Sequence, residues 1–152
     1  MQKWWAIAGF GFLAAAMMAV ALFLSPDEPS QSPQIILADK VYEVTIMRSE
    51  DERQRGLSGT DSLPNGRAML FVLPPDNAGG IWMKDMNYAI DIVWLDDAAT
   101  VVHLVENAQP SSYPDTTFYP PTMSRYVIEL PSGTIKQTAI KKGMRATLPS
   151  GV

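Results

Sequence analysis

The chain has 152 residues, 47% hydrophobic and 18% charged, a length that fits one ordinary globular domain and excludes two. Twelve Lys or Arg against sixteen Asp or Glu leave a net charge of −4, the wrong sign for a phosphate-binding surface, so no nucleic-acid partner is expected. With no cysteine and a single histidine, His103, disulfide frameworks, thiol nucleophiles and zinc sites built from Cys and His clusters are ruled out.

Residues 4–24 form a run of 21 without a charge, about 31 Å long as a helix, which matches a hydrocarbon core of about 30 Å. Lys3 precedes the run while Asp27 and Glu28 follow it, so the positive-inside bias keeps the N-terminus cytoplasmic and sends the remainder outward. The expected protein is anchored in the inner membrane, with its domain in the periplasm or outside the cell. The alternative is a cleaved signal peptide and a secreted product, since Ala19-Val20-Ala21 has the small-x-small form of a cleavage site. Residues 25–33 (SPDEPSQSP) hold nothing apolar to bury and read as a solvated tether, which leaves residues 34–152 as the single domain.

Most of the periodicity in that domain is β. Residues 34–37 and 41–47 flank an Ala-Asp-Lys turn and form an opening hairpin, the second strand alternating about Tyr42, Val44 and Ile46. Ser49-Glu50-Asp51-Glu52 has the form of a capping box and starts a short helix, carrying Arg53 and Arg55, that ends at Gly56. Residues 68–73, 80–86, 89–95, 100–106 and 126–130 read as further strands, with Asp96-Asp97 turning the chain between two of them. A helix over residues 132–140 and a last strand over 144–148 complete the domain. The expected fold is mostly β (α+β): a compact β-rich domain or barrel-like sheet with two short helices behind an N-terminal membrane helix.

Five local patterns occur in order: Glu52-Arg53-Gln54-Arg55-Gly56-Leu57, Gly66-Arg67-Ala68-Met69-Leu70-Phe71, Ile81-Trp82-Met83-Lys84, Ile90-Asp91-Ile92, and Tyr126-Val127-Ile128-Glu129-Leu130 followed by Gly133. Together they resemble the bacterial and archaeal family known as domain of unknown function 192, over about residues 35–148. The resemblance implies a compact β-rich domain behind a signal or anchor sequence, and no established activity. Two segments depart from the family's pattern. Ser58-Gly59-Thr60 stands where the family has Met and then Arg, and Asp85-Met86 stands where it tends to have Asn-Thr, so ligand contacts from those family residues are not carried over.

Asp91 and Glu129 are each a lone carboxylate within an apolar strand, and a buried carboxylate must be paired, hydrogen-bonded or protonated. The preferred reading makes them structural ion pairs with cations drawn from Arg53, Arg55, Arg67, Lys84 and Arg125; the alternative places them in a pocket. Trp82 and Lys84, two apart on a strand, would share a face and suit a sugar or an anionic ligand, against the plainer reading of a core Trp covered by a Lys stem. The pocket reading takes Arg55, Trp82, Lys84, Asp91 and Glu129 as ligand-binding residues, with residues 107–125, rich in proline and aromatics, as either a binding loop or a cover over a sheet edge. His103, alternating with Val101 and Val105, reads as a core or edge histidine. The methionines read as core filler, and no phosphate-loop, dinucleotide or calcium-loop pattern is present, so neither cofactor nor metal is expected.

Three functions fit these features. The favoured one is a membrane-tethered binding module for a cell-envelope component, a saccharide or a peptide. The others are a small hydrolase or lyase using Asp91 and Glu129 as a carboxylate pair, and a structural protein of envelope assembly. Catalytic residues and oligomeric state are not assigned.

Overall fold

In the computed structural model the chain divides into two units, Met1–Gln31 and Ser32–Val152, and the structure describes residues 32–75 and 79–152. The expected membrane segment, residues 4–24, and the tether as far as residue 31 lie outside the described residues. Among the described residues no helix is long and apolar enough to cross a membrane.

The opening hairpin forms where alternation places it. Strand β1 (Gln34–Leu37) buries Ile35 and Leu37 and pairs antiparallel with β2 (Lys40–Met47), which buries Tyr42 and Val44. Ala38 and Asp39 turn the chain with φ of 51° and 58°, the sign that a tight two-residue hairpin turn requires at both positions. Helix α1 (Glu50–Arg55) starts on the expected capping box. The Ser49 hydroxyl accepts the Glu52 amide at 3.3 Å and the Glu52 carboxylate accepts the Ser49 amide at 2.8 Å. The helix is the crossover that lets β3 (Arg67–Val72) run parallel to β2.

The remaining elements are β4 (Ile81–Trp82), β5 (Ile90–Leu95), β6 (Val101–Ala108), β7 (Thr117–Phe118), β8 (Tyr126–Pro131) and α2 (Thr134–Thr138). The main sheet has the order β1-β2-β3-β8-β5-β6, antiparallel throughout except for β2 with β3, and β4 and β7 form a separate two-stranded ribbon. The fold is therefore mostly β, a half-barrel sheet with two short helices.

Both faces of the sheet are covered, which explains why β5 is apolar on both sides and buried along its whole length. One face packs Leu70, Val93, Leu95 and Ile128 against Ile35, Leu37, Ile135 and Ile140. The other packs Met69, Phe71, Ile92, Trp94 and Val127 against Leu57, Ile81 and Met83. Each such side chain taken wholly out of water contributes about 1.5–3 kcal/mol before the entropy of ordering it.

Three segments differ from expectation. Residues 80–84 alternate in burial as a strand would, but only Ile81 and Trp82 pair, because Asp85 at φ 55° and a Met86 amide bonded to the Met83 carbonyl turn the chain away. The last strand is a strap. Thr147 exchanges two backbone hydrogen bonds with Ile36, and Ala146 and Met144 bond to Ala99 and Val101, so the tail joins β1 to the start of β6. In β6, Trp94 pairs with His103 while Leu95 pairs with Val101, a bulge at Val102 that puts Val101 and His103 on opposite faces instead of the single face that plain alternation gives.

Candidate functional site

The second face of the sheet carries the cavity. Register alone places Glu129 there: on β8 it stands opposite Met69 of β3 and Ile92 of β5, so its side chain emerges among apolar neighbours in the middle of the sheet. The residue is 5% exposed, and among the described residues its Oε2 has no hydrogen-bond partner. Burial pushes its carboxyl up to about 8, because no ion pair offsets the loss of water. The one ion pair among the described residues joins Arg67 and Glu43 at 3.0 Å on the surface. The expected ionic partner of Glu129 is thus absent from its surroundings, and the carboxyl opens on a cavity of about 650 Å³, a size that accommodates a small ligand.

The walls come from three directions. Helix α1 and the turn after it bring Glu50, Arg53, Gln54, Arg55 and Ser58, an almost wholly polar side. Phe71, Leu73, Ile81 and Met86 supply apolar surface beside Glu129, and Trp82, Thr117 and Tyr119 complete the lining. Arg53 is committed, donating to the Arg48 and Val72 carbonyls and so fastening α1 to the end of β3. Arg55 is exposed and among the described residues makes no such bond.

Trp82 and Tyr119 are the exposed aromatics of the lining, at 44% and 58%. Trp82 is held by the β4–β7 ribbon, where it pairs with Thr117. Tyr119 packs close against Gly80: a Cβ at that position would collide with the ring edge and come within 2.8 Å of its Cζ. The bare backbone of Gly80 is what lets the ring sit there.

Asp91 has a different task. Its strand neighbour on β8 is Leu130, on the opposite face from Glu129, and it is wholly buried. Its Oδ1 accepts the Asn107 amide at 2.8 Å and its Oδ2 accepts the Ile135 amide at 2.7 Å. Expected to meet a cation or a ligand, Asp91 meets two backbone amides instead. Helix α2 begins at Gly133, which has no side chain to cap it, and Asp91 supplies the missing acceptor from β5. A mechanism that uses Asp91 and Glu129 as an acid–base pair needs both in one cleft, and the sheet lies between them.

Of the five residues read as a ligand-binding set, the structure brings Arg55, Trp82 and Glu129 to one cavity. Lys84 is exposed and outside the lining, although its carbonyl accepts the Ser58 hydroxyl at 2.8 Å, and Asp91 is on the other face. Trp82, read first as core, is exposed. Gln54 and Glu50 were not singled out by sequence reasoning, whereas Tyr119 belongs to residues 107–125, read as either a binding loop or a cover over a sheet edge; the Gly79-Gly80 doublet is a further sign that something large approaches the backbone there. His103 lies elsewhere, its ring 5.2 Å from that of Trp94, with burial first and Lys142 second holding its pKa below the ordinary value. Among the described residues no group of His, Asp and Glu could hold a metal ion.

Solved structures of other proteins share this fold. A protein of unknown function from Novosphingobium aromaticivorans is similar with a TM-score of 0.70 and 22% identity, over 76% of this chain and 83% of its own. A protein from Sinorhizobium meliloti described as a putative transcription regulator is similar with a TM-score of 0.69 and 23% identity, over 76% of this chain and 91% of its own. No curated protein matches the chain. The family model of DUF192, described as an uncharacterized ACR, matches residues 34–148, which span every element of the half-barrel and every residue of the cavity, and the chain belongs to that family.

Proposed function

We propose that the chain is a membrane-tethered binding module of the cell envelope that takes a saccharide in the cavity floored by Glu129. The observation that carries this reading is a cavity combining two exposed aromatic faces, Trp82 and Tyr119, with a buried carboxyl that has an unused oxygen. Sugar rings offer apolar C–H faces to aromatic planes and hydroxyls to polar walls such as Gln54, Ser58 and Arg55. A buried polar atom without a partner costs about 1–3 kcal/mol, a cost that a ligand hydrogen bond removes. Tethering through residues 4–24 would hold the module against the membrane that faces such ligands.

The test is a glycan array probed with the full-length chain in lipid nanodiscs, beside the Trp82→Ala and Tyr119→Ala variants. Binding to envelope-type saccharides that either substitution weakens supports the reading. Capture of short peptides with no sugar bound would replace the saccharide with a peptide, and binding indifferent to both substitutions would remove the cavity from the account.

A further inference from the structure

The chemistry of the cavity floor narrows the ligand further, given the saccharide-binding reading. We infer that Glu129 acts as a neutral carboxylic acid that donates a hydrogen bond to the acetamido carbonyl of an N-acetylated sugar, so the cavity accepts N-acetyl sugars and rejects their free-amine counterparts.

Geometry carries the first half. Glu129 is flanked in register by Met69 and Ile92, with Phe71 and Val127 on the same face, and its Oε2 has no partner among the described residues. The charged and titratable groups that face the cavity from other elements are Glu50, Arg53 and Arg55 of α1 and Tyr119 beyond β7, while Tyr88 stands close enough to feel the carboxyl's charge. None of these forms an ion pair with Glu129, and Arg53 is already bonded to the Arg48 and Val72 carbonyls. Tyr88 is turned to Thr60, with 2.7 Å between the hydroxyl oxygens. A carboxyl so placed keeps its proton at neutral pH, in line with the upward shift that burial imposes. It is then a hydrogen-bond donor as well as an acceptor.

The neighbours of that donor carry the second half. Phe71, Leu73, Ile81 and Met86 line the same cavity, so the space around Glu129 suits a group with a carbonyl oxygen and a methyl side by side. An acetamido group has both. An ammonium group would have to shed its water while Glu129 released its proton to solvent, leaving a close ion pair among apolar side chains, where desolvation offsets much of the attraction.

Two probes differing in this one feature test it: N,N′-diacetylchitobiose and its fully deacetylated form, titrated into the full-length chain in nanodiscs. The expected result is at least about tenfold weaker binding of the free amine. Glu129→Gln, whose amide also donates, should bind the acetylated sugar within about threefold of the parent; Glu129→Leu should bind about tenfold more weakly while melting no lower. Tighter binding of the free amine, abolished by Glu129→Gln, would overturn the inference. If neither sugar binds, the saccharide reading falls and carbon-13 NMR of the Glu129 carboxyl decides what remains: a midpoint near 8 keeps the neutral donor, and one near its ordinary value of 4.5 removes it.

Discussion

Asp91 caps a helix 44 residues away in sequence, its Oδ2 accepting the amide of Ile135 at 2.7 Å in the first turn of α2. The same carboxylate ties down the Asn107 amide, where φ is 54°, so one side chain fixes both the end of β6 and the start of the last helix. The buried Ile135 amide would otherwise lack an acceptor, and the half-buried Asn107 amide is held by the same carboxylate.

Replacing Asp91 is therefore expected to cost stability and to leave ligand binding alone. Asp91→Asn keeps one acceptor but turns an amide group toward an N–H donor, for a loss of about 1–3 kcal/mol, and Asp91→Ala strands both donors and costs more. Thermal melts measure the loss. A variant as stable as the parent with impaired sugar binding would show that the residue serves a ligand.

Glu129 gives a pH dependence of stability with a definite sign. Its pKa in the folded protein, about 8, lies above the ordinary 4.5, so between these values the folded state holds a proton that the unfolded state has released. Its contribution is fully present below about pH 4.5, declines as pH rises and is lost above about pH 8, on the order of a few kcal/mol in all. Melting temperature followed across that range should fall in the parent and flatten in Glu129→Gln. Parallel curves for the two proteins would show that Glu129 is ionised in the fold.

Gly80 is a sharp probe of the cavity because its φ is ordinary and only space is at issue. Gly80→Ala should displace the Tyr119 ring, seen as shifted ring resonances by NMR, and weaken binding of N,N′-diacetylchitobiose by several-fold to about tenfold. Gly80→Ala with unmoved Tyr119 signals would mean that the backbone yields before the ring.

Fractionation checks the tether. Residues 32–152 should remain membrane-associated until detergent is added, held by residues 4–24. Recovery of a soluble species beginning near residue 22 would mark the segment as a cleaved signal peptide.

Contiguous signals were legible in the sequence and distant ones were not. The Ser49–Glu52 capping box and the Ala-Asp-Lys turn depend on residues within one turn of each other; the box formed as read, and the turn formed with Lys40 already in β2. Asp91 and Glu129 stood out because a carboxylate in an apolar strand has to be accounted for. Which face each took was hidden, since it follows from the pairing of β5 with β8, strands that are not neighbours in sequence. The contact of Tyr119 with Gly80 arises one position beyond the Ile81–Phe118 pair, between segments distant in sequence, and leaves no periodic trace. The Val102 bulge likewise defeats simple alternation by inserting one residue into it.

The strap that bonds Thr147 to Ile36 bears on the order in which the molecule is made. Joining β1 to the start of β6 requires Ile36 to meet Thr147, and contacts of such long sequence separation are slow to form and wait until residue 147 has emerged. Until residues 143–147 emerge, β1 and the base of β6 keep these edges unpaired. Residues 143–147 act as a fastener, closing the half-barrel only after its other strands have emerged.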